Sequence, residues 1–275
     1  MSLGESLIDL IHSPGSPNPE VRVGGSPYNV AIALSRLGVD TGFICPLSTD
    51  DYGQKLAAGL AENGVQQCIQ AFVDAPTAIA EVSTDERGHP SYRFHRKGTA
   101  DRALIEAPPA DALPEHTRAV HFGSLVLAQE SDWGPWKEAI VHARKAGAFI
   151  AFDPNMRPAL IDDEQRHKQR IEEAVELSHL IKASDEDLSI LDPNFKPADR
   201  IKAWHNPGRI IVMTEGARGA QIWTQAGEHV THRDTGTGPI VDTVGAGDTF
   251  QAALLAWLWH QEAFGRQIDV DDARQ

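Results

Sequence analysis

The sequence predicts an α/β protein: a three-layer α/β/α domain with a small antiparallel β-sheet set to one side. Two observations make the layered domain. Strand-like and helix-like segments alternate along nearly all 275 residues. The strand-like ones are short apolar runs, the kind buried on both faces of a parallel sheet. Crossovers between such strands are right-handed and place helices on both faces. The third observation is a break in this rhythm: residues 68 to 96 read as extended strands with no helix between them. Extra β elements have nowhere to bury in a complete sandwich, so they predict a separate sheet that closes over a ligand. A hydrophobic fraction of 41% suits one large core. Residues 1–275 therefore read as a single domain, with lid strands inserted at about 12–23 and 68–98.

In chain order, ESLIDLI is the first strand and HSPGSPNPE a loop. SPYNVAIALSRLG is a helix with Ser26 as N-cap, Pro27 in the first turn and Gly38 as its stop. TGFICPL is a strand, and DYGQKLAAGLAENG a helix ending at Gly64. In the interrupting block, DERGHP marks a turn between two strands. AVHFGSLVL, AFIAFDPN, HLIKAS and RIIVMTEG are further buried strands with helical segments between most of them. GAQIWTQAGEHVTHR is a hairpin turning at Ala226-Gly227, and QAALLAWLWH, free of Gly and Pro, is a buried helix.

A net charge of −14 argues against nucleic-acid or acidic-membrane surfaces as partners. Cys45 and Cys68 are too few and too far apart for a disulfide framework or a C-x-x-C metal site. No apolar run reaches membrane-spanning length and no signal peptide is visible, so the expected setting is cytoplasmic. The phosphate loop G-x-x-x-x-G-K-[ST], the dinucleotide fingerprint, H-E-x-x-H and the G-x-S-x-G elbow are all missing. His229 and His232 lie three apart on a strand and face opposite sides.

What remains is a set of polar groups at strand ends and helix starts. In DTVGAGDTF, Gly245, Ala246 and Gly247 open the last helix. There the first backbone N–H groups have no intrahelical partner and small residues admit an anion. Asp248 beside them has two readings, the ordinary helix cap and a catalytic base next to a bound phosphate. Gly24 and Gly25 precede a helix with Asn29 one turn inside it, either a tight turn or a surface for a small polyol. Asp9 sits in an apolar strand, where an acid needs a partner or a ligand. Asp153, Asn155 and Arg157 follow a strand, at the edge where open α/β sheets bind ligands. Thr214 to Gly219 follow another, with two glycines able to pass close to a nucleotide.

GGSPYNVAIALSRLG and DTVGAGDTF resemble the two signatures of the ribokinase-like (PfkB) carbohydrate kinases, in the right order and separation, and DPNMRPAL, IKASDEDL and VMTEGARGA fit between them. HFGSLVL, YRFHRKGTADRAL and DPNMRP are most similar to the fructokinase branch, whose wording the 2-keto-3-deoxygluconate kinases share in large part. The resemblance implies a Rossmann-like domain, ATP with Mg²⁺, and γ-phosphoryl transfer to a sugar hydroxyl. Residue by residue, it implies Asp248 as general base and the amides of Gly245, Ala246 and Gly247 as anion hole. It places the sugar at Asp9, Gly24, Gly25, Asn29 and Asn155, with Arg96 and Arg157 as ligand-facing cations. It places the nucleotide at Lys182, Ser184, Thr214, Gly216, Gly219 and Gly247. K⁺ is implied at Asp242 and the Val244 carbonyl. Apart from the resemblance, an inserted sheet has one apolar face left over, so a homodimer through the lid is expected. A non-catalytic sugar- or nucleotide-binding protein is the remaining alternative, against which the intact GAGD argues.

The sequence departs from the family in places. Its N-x-x-E motif, which orders Mg²⁺, appears as Ser184-x-x-Asp187, one methylene shorter in the acid. The chain ends at DVDDARQ, where relatives carry helical sequence over the adenine; without that segment ATP binding would be weak. The opening MSL stands where relatives have more of the first strand and reads as foreign to the fold.

Overall fold

The structure, a computed structural model, describes residues 1–12, 16–84, 90–104, 108–233, 245–268 and 272. In chain order the strands and α-helices are β1 (Ser2–Leu3), β2 (Leu7–His12), β3 (Glu20–Gly24), α1 (Ser26–Arg36), β4 (Gly42–Ile44), β5 (Leu47–Ser48), α2 (Asp51–Glu62), β6 (Gln66–Gln67), β7 (Phe72–Val73), β8 (Ala78–Thr84) and β9 (Pro90–His95). There follow β10 (Ala119–Gly123), α3 (Glu130–Lys145), β11 (Phe149–Asp153), α4 (Glu164–Leu177), β12 (Leu180–Ser184), α5 (Asp185–Leu191), α6 (Pro197–Trp204), β13 (Ile210–Thr214), β14 (Ala220–Trp223), β15 (His229–His232) and α7 (Ala246–His260).

Nine strands form one sheet in the order β15-β14-β13-β12-β11-β10-β1-β4-β6. It is parallel from β13 to β6, and the β14–β15 hairpin adds an antiparallel edge. Each face is covered. On one, Val30 and Leu34 of α1 and Ala252, Leu255 and Ala256 of α7 pack on Ala151, Leu180 and Val212. On the other, Trp133, Trp136 and Ile140 of α3, Ile171 and Val175 of α4 and Trp204 of α6 pack on Phe122, Phe152 and Ile181. Apolar residues of β10 to β13 thus meet helices on both sides, as continuous apolar runs require. Chain order reverses between β1 and β10, which makes the carboxyl ends of those strands the switch point of the sheet.

The separate sheet has the order β3-β2-β8-β9, with antiparallel outer pairs and a parallel central pair. Two expectations are corrected here. ESLIDLI is not the first strand of the layered sheet: its core, β2, belongs to the small one. It alternates, with Ile8 and Leu10 packed toward Tyr28 and Phe43 and Leu7 toward Ala78 and Leu125, as a strand between two different surfaces must. The layered sheet begins instead with Ser2 and Leu3, both fully buried. They pair with Phe43–Ile44 on one side and His121–Phe122 on the other, so MSL is part of the fold. The DERGHP turn falls almost wholly outside the described residues.

Candidate active site

α1 and α7 lie side by side with their N-termini at the switch point, and their first turns bring the two signature segments together. Gly245 precedes α7 in the left-handed region, φ 76° and ψ 1°, a conformation glycine takes without strain. Asp248 is buried, 7% exposed, and is held by side chains from other elements. Ser26 Oγ donates to its Oδ1 at 2.6 Å. Asn29 Nδ2 donates to its Oδ2 at 2.8 Å. Asn155 Nδ2 donates to Oδ1 at 3.3 Å and to Ser26 Oγ at 2.8 Å.

On the small-sheet side, a Cβ at Gly24 would collide with the Asp9 carboxylate, so that carboxylate lies directly against the glycine backbone. Gly25 has φ 105°, and a Cβ there would stand 2.7 Å from the Glu5 carbonyl oxygen. Burial raises Asp9 above the usual carboxylate range, against the pull of Arg157 and Arg22. Arg157 is exposed, and its Nη1 donates to the Asn155 and Met156 carbonyls at 3.2 and 2.9 Å. Asp9, Gly24, Gly25, Asn29, Asn155 and Arg157 therefore surround one end of the site.

On the other side, Lys182 of β12 is buried and donates to Asp153 Oδ2 at 2.8 Å. A Cβ at Gly247 would lie 3.1 Å from its Nζ, so the ammonium sits under the turn that opens α7. Burial opposes its charge, but Asp153 above all, then Asp187 and Asp248, outweigh that and raise its pKa. Ser184 and Thr214 are neighbours in register at the ends of β12 and β13. Gly216 and Gly219 shape the following loop with φ of 56° and 99°. The expected nucleotide residues thus line one edge of the sheet, with Gly247 between them and Asp248.

Two expected site residues are used otherwise. Arg96 is 6% exposed and turned inward: its Nε meets Asp101 at 2.7 Å, and its Nη1 meets Asp132 at 2.7 Å and the Leu125 carbonyl at 3.4 Å. Two buried carboxylates claim the guanidinium, so it is a structural clamp at the foot of β9, not a ligand-facing cation. Asp187 closes a capping box on α5. Its Oδ2 accepts from Ser184 N at 3.1 Å and Ser184 Oγ at 2.6 Å, and its Oδ1 from Met156 N at 2.8 Å. Its Oδ2 is thus filled by the cap and its Oδ1 is shared with the Met156 amide, and among the described residues no group of three His, Cys, Asp or Glu side chains is set to hold a metal. Asp242 and Val244 lie outside the described residues.

Sequence reasoning missed two residues. Ser26, read as a helix cap, begins α1 after the true N-cap Gly25 and turns its hydroxyl to Asp248. Glu5 is buried between the starts of α1 and the turn after β10, accepting from Ser26 N and Leu125 N, both at 3.3 Å. Desolvation lifts it to about 7, against the pull of Arg96. The only sequence signal for either was its place beside a glycine turn.

A layered α/β domain with a β-lid, carboxylates and helix N-termini gathered at its switch point has the build of a small-molecule phosphotransferase. The comparisons give the family. The family model "pfkB family carbohydrate kinase" matches residues 1–268, and the chain belongs to that family. A fructokinase of Rhizobium leguminosarum bv. trifolii is 35% identical over 259 residues, covering 93% of this chain and 78% of the relative. Among solved structures, a double mutant of Vibrio cholerae O395 fructokinase with fructose, ADP and potassium ion has TM-score 0.79 at 27% identity, covering 93% of this chain and 82% of that one. Xylella fastidiosa fructokinase with bound ATP has TM-score 0.79 at 26% identity, covering 94% and 82%.

Proposed function

We propose that the protein is an ATP-dependent fructokinase. The observation that carries this is Asp248, held by three donors at the opening of α7 while the GAG backbone turn sits beside it. The fructokinase relatives at 31–35% identity support fructose as the acceptor. Arg96 bears on the same point. An acidic sugar such as 2-keto-3-deoxygluconate calls for cations converging on its carboxylate, and with Arg96 occupied only Arg157 remains of the two expected ones.

In this reading the sugar lies between Asp9, the Gly24–Gly25 backbone, Asn29 and Asn155, under the small sheet. Its reacting hydroxyl gives its proton to Asp248 as the oxygen bonds the γ-phosphorus. The bond from that phosphorus to the β–γ bridging oxygen breaks, and its electron pair leaves with ADP. The amides of Gly245, Ala246 and Gly247 meet the charge on the transferring group, and Lys182 beneath them keeps three neighbouring carboxylates from repelling it. ATP enters as its Mg²⁺ complex, the ion held by phosphate oxygens and water. K⁺ at the Asp242–Val244 segment is part of the proposal, as is a cytoplasmic setting, supported by the lack of any described helix able to cross a membrane. So is pairing of two copies through the small sheet, whose Leu10, Val21 and Val23 remain only partly buried.

A panel of fructose, 2-keto-3-deoxygluconate, ribose and glucose with Mg²⁺ and ATP, read by ADP release, tests the assignment. The highest kcat/KM is expected on fructose. A preference for the acidic sugar would move the protein to the other branch, and no ADP on any sugar would leave a binding protein.

A further inference from the structure

Ser26 and Asp248 are 222 residues apart in sequence and 2.6 Å apart in the fold, the short length of a hydrogen bond to a charged oxygen. Ser26 is buried, 7% exposed, and its side chain does not cap its own helix, since α1 has no side-chain cap. The direction of the chain of bonds is fixed. The Asn155 amide nitrogen only donates, so Ser26 Oγ accepts from it at 2.8 Å and passes its own proton toward Asp248 Oδ1. Asn155 holds φ at 37°, a left-handed backbone rare for residues other than glycine. Such a conformation persists where the surroundings over-determine it, here through bonds to Ser26 and Asp248.

The two carboxylate oxygens are not equivalent. A carboxylate offers roughly two acceptor sites on each oxygen. Among the described residues, Oδ1 takes both Ser26 and Asn155, whereas Oδ2 takes Asn29 at 2.8 Å and keeps one site open. We infer that Ser26 is a positioning residue for Asp248. Backed by Asn155, it fills Oδ1 and fixes the plane of the carboxylate, so the sugar hydroxyl delivers its proton to Oδ2, on the Asn29 side. This rests on the reading of Asp248 as the base. Ser26 touches neither sugar nor nucleotide in this arrangement; it acts through Asp248 alone.

A double-mutant cycle on the intact protein, with fructose and MgATP, tests it. Ser26→Ala fits its site without added bulk. It should lower kcat on the order of ten- to a hundredfold, the loss of one hydrogen bond to a charged group, while KM for both substrates stays within about twofold. In the Asp248→Asn background the same change should cost nothing further, because its route to the chemistry is gone. An equal fall in both backgrounds, a fall confined to KM, or an undiminished Ser26→Ala beside a crippled Asp248→Asn would each overturn the positioning role and leave the base standing. Near-normal turnover of Asp248→Asn alone would remove the base itself.

Discussion

α5 and α7 begin alike: each carries an aspartate three residues after its N-cap, Asp187 after Ser184 and Asp248 after Gly245. Their fates are opposite. Asp187 bonds back to the backbone and hydroxyl of its own cap residue. Asp248 follows a glycine that has no side chain to reciprocate, and its oxygens go to α1 and to the turn after β11. Position in a helix does not decide what a carboxylate does. The cap residue and the neighbouring elements do. A serine cap ties one oxygen of the acid into its own helix and leaves the other to Met156 N, whereas a glycine cap leaves both open to partners brought by the fold.

The largest expected effect separates the two acids directly. Asp248→Asn should lower turnover by on the order of a hundredfold to ten-thousandfold, as for loss of a general base, whereas a mere cap would tolerate Asn. Rates at saturating MgATP and fructose decide. Asp187→Ala should instead cost stability, on the order of 1–2 kcal/mol for a lost capping interaction, with turnover little changed. Thermal melts and an Mg²⁺ titration read it, and a marked rise in the Mg²⁺ requirement would return Asp187 to the metal.

Arg96 extends the contrast from helix starts to the foot of the lid. Arg96→Leu leaves buried Asp101 without its cation and buried Asp132 with Arg102 alone, a cost of about 3–5 kcal/mol. The melting temperature should drop by roughly 10 °C. A variant that melts normally but loses affinity for the sugar would restore Arg96 to the ligand.

A smaller effect lies in the pH dependence of stability. Glu5 is raised from 4.5 to about 7 by burial, so between those values the folded state holds a proton the unfolded chain releases. Its contribution is full below about 4.5 and is lost as pH rises through 7, a change of about 3 kcal/mol at roughly 1.4 kcal/mol per unit. Melting temperature across pH 5 to 8 should fall less in Glu5→Gln than in the parent; parallel curves would show that Glu5 is already ionised. The smallest effect expected is that of K⁺, a modest gain in turnover over a bulky organic cation at equal ionic strength.

Much was legible without coordinates. The alternation of apolar runs fixed the layered domain, because a strand buried on both faces has to be apolar throughout. The glycines at 24, 25 and 247 marked places where backbone comes close to a neighbouring group, and Gly245 a left-handed turn, and such positions constrain the residue locally. Lys182, Ser184 and Thr214 could be placed at strand ends by counting along apolar runs. The rest depended on contacts between residues far apart in the chain. ESLIDLI reads equally well as a strand of either sheet, and only the pairing of β2 with β3 and β8 decided. Arg96 follows a strand like any ligand-facing cation would, yet two aspartates on other elements claim it. For Ser26, a hydroxyl at a helix start means a cap until α7 is packed beside α1. The sequence by itself determined which residues are small, charged or apolar, and hence the layers and the anion-binding turn. Which carboxylate is tied down and which is left poised was settled by tertiary structure, because a side chain's partner is chosen by proximity in space.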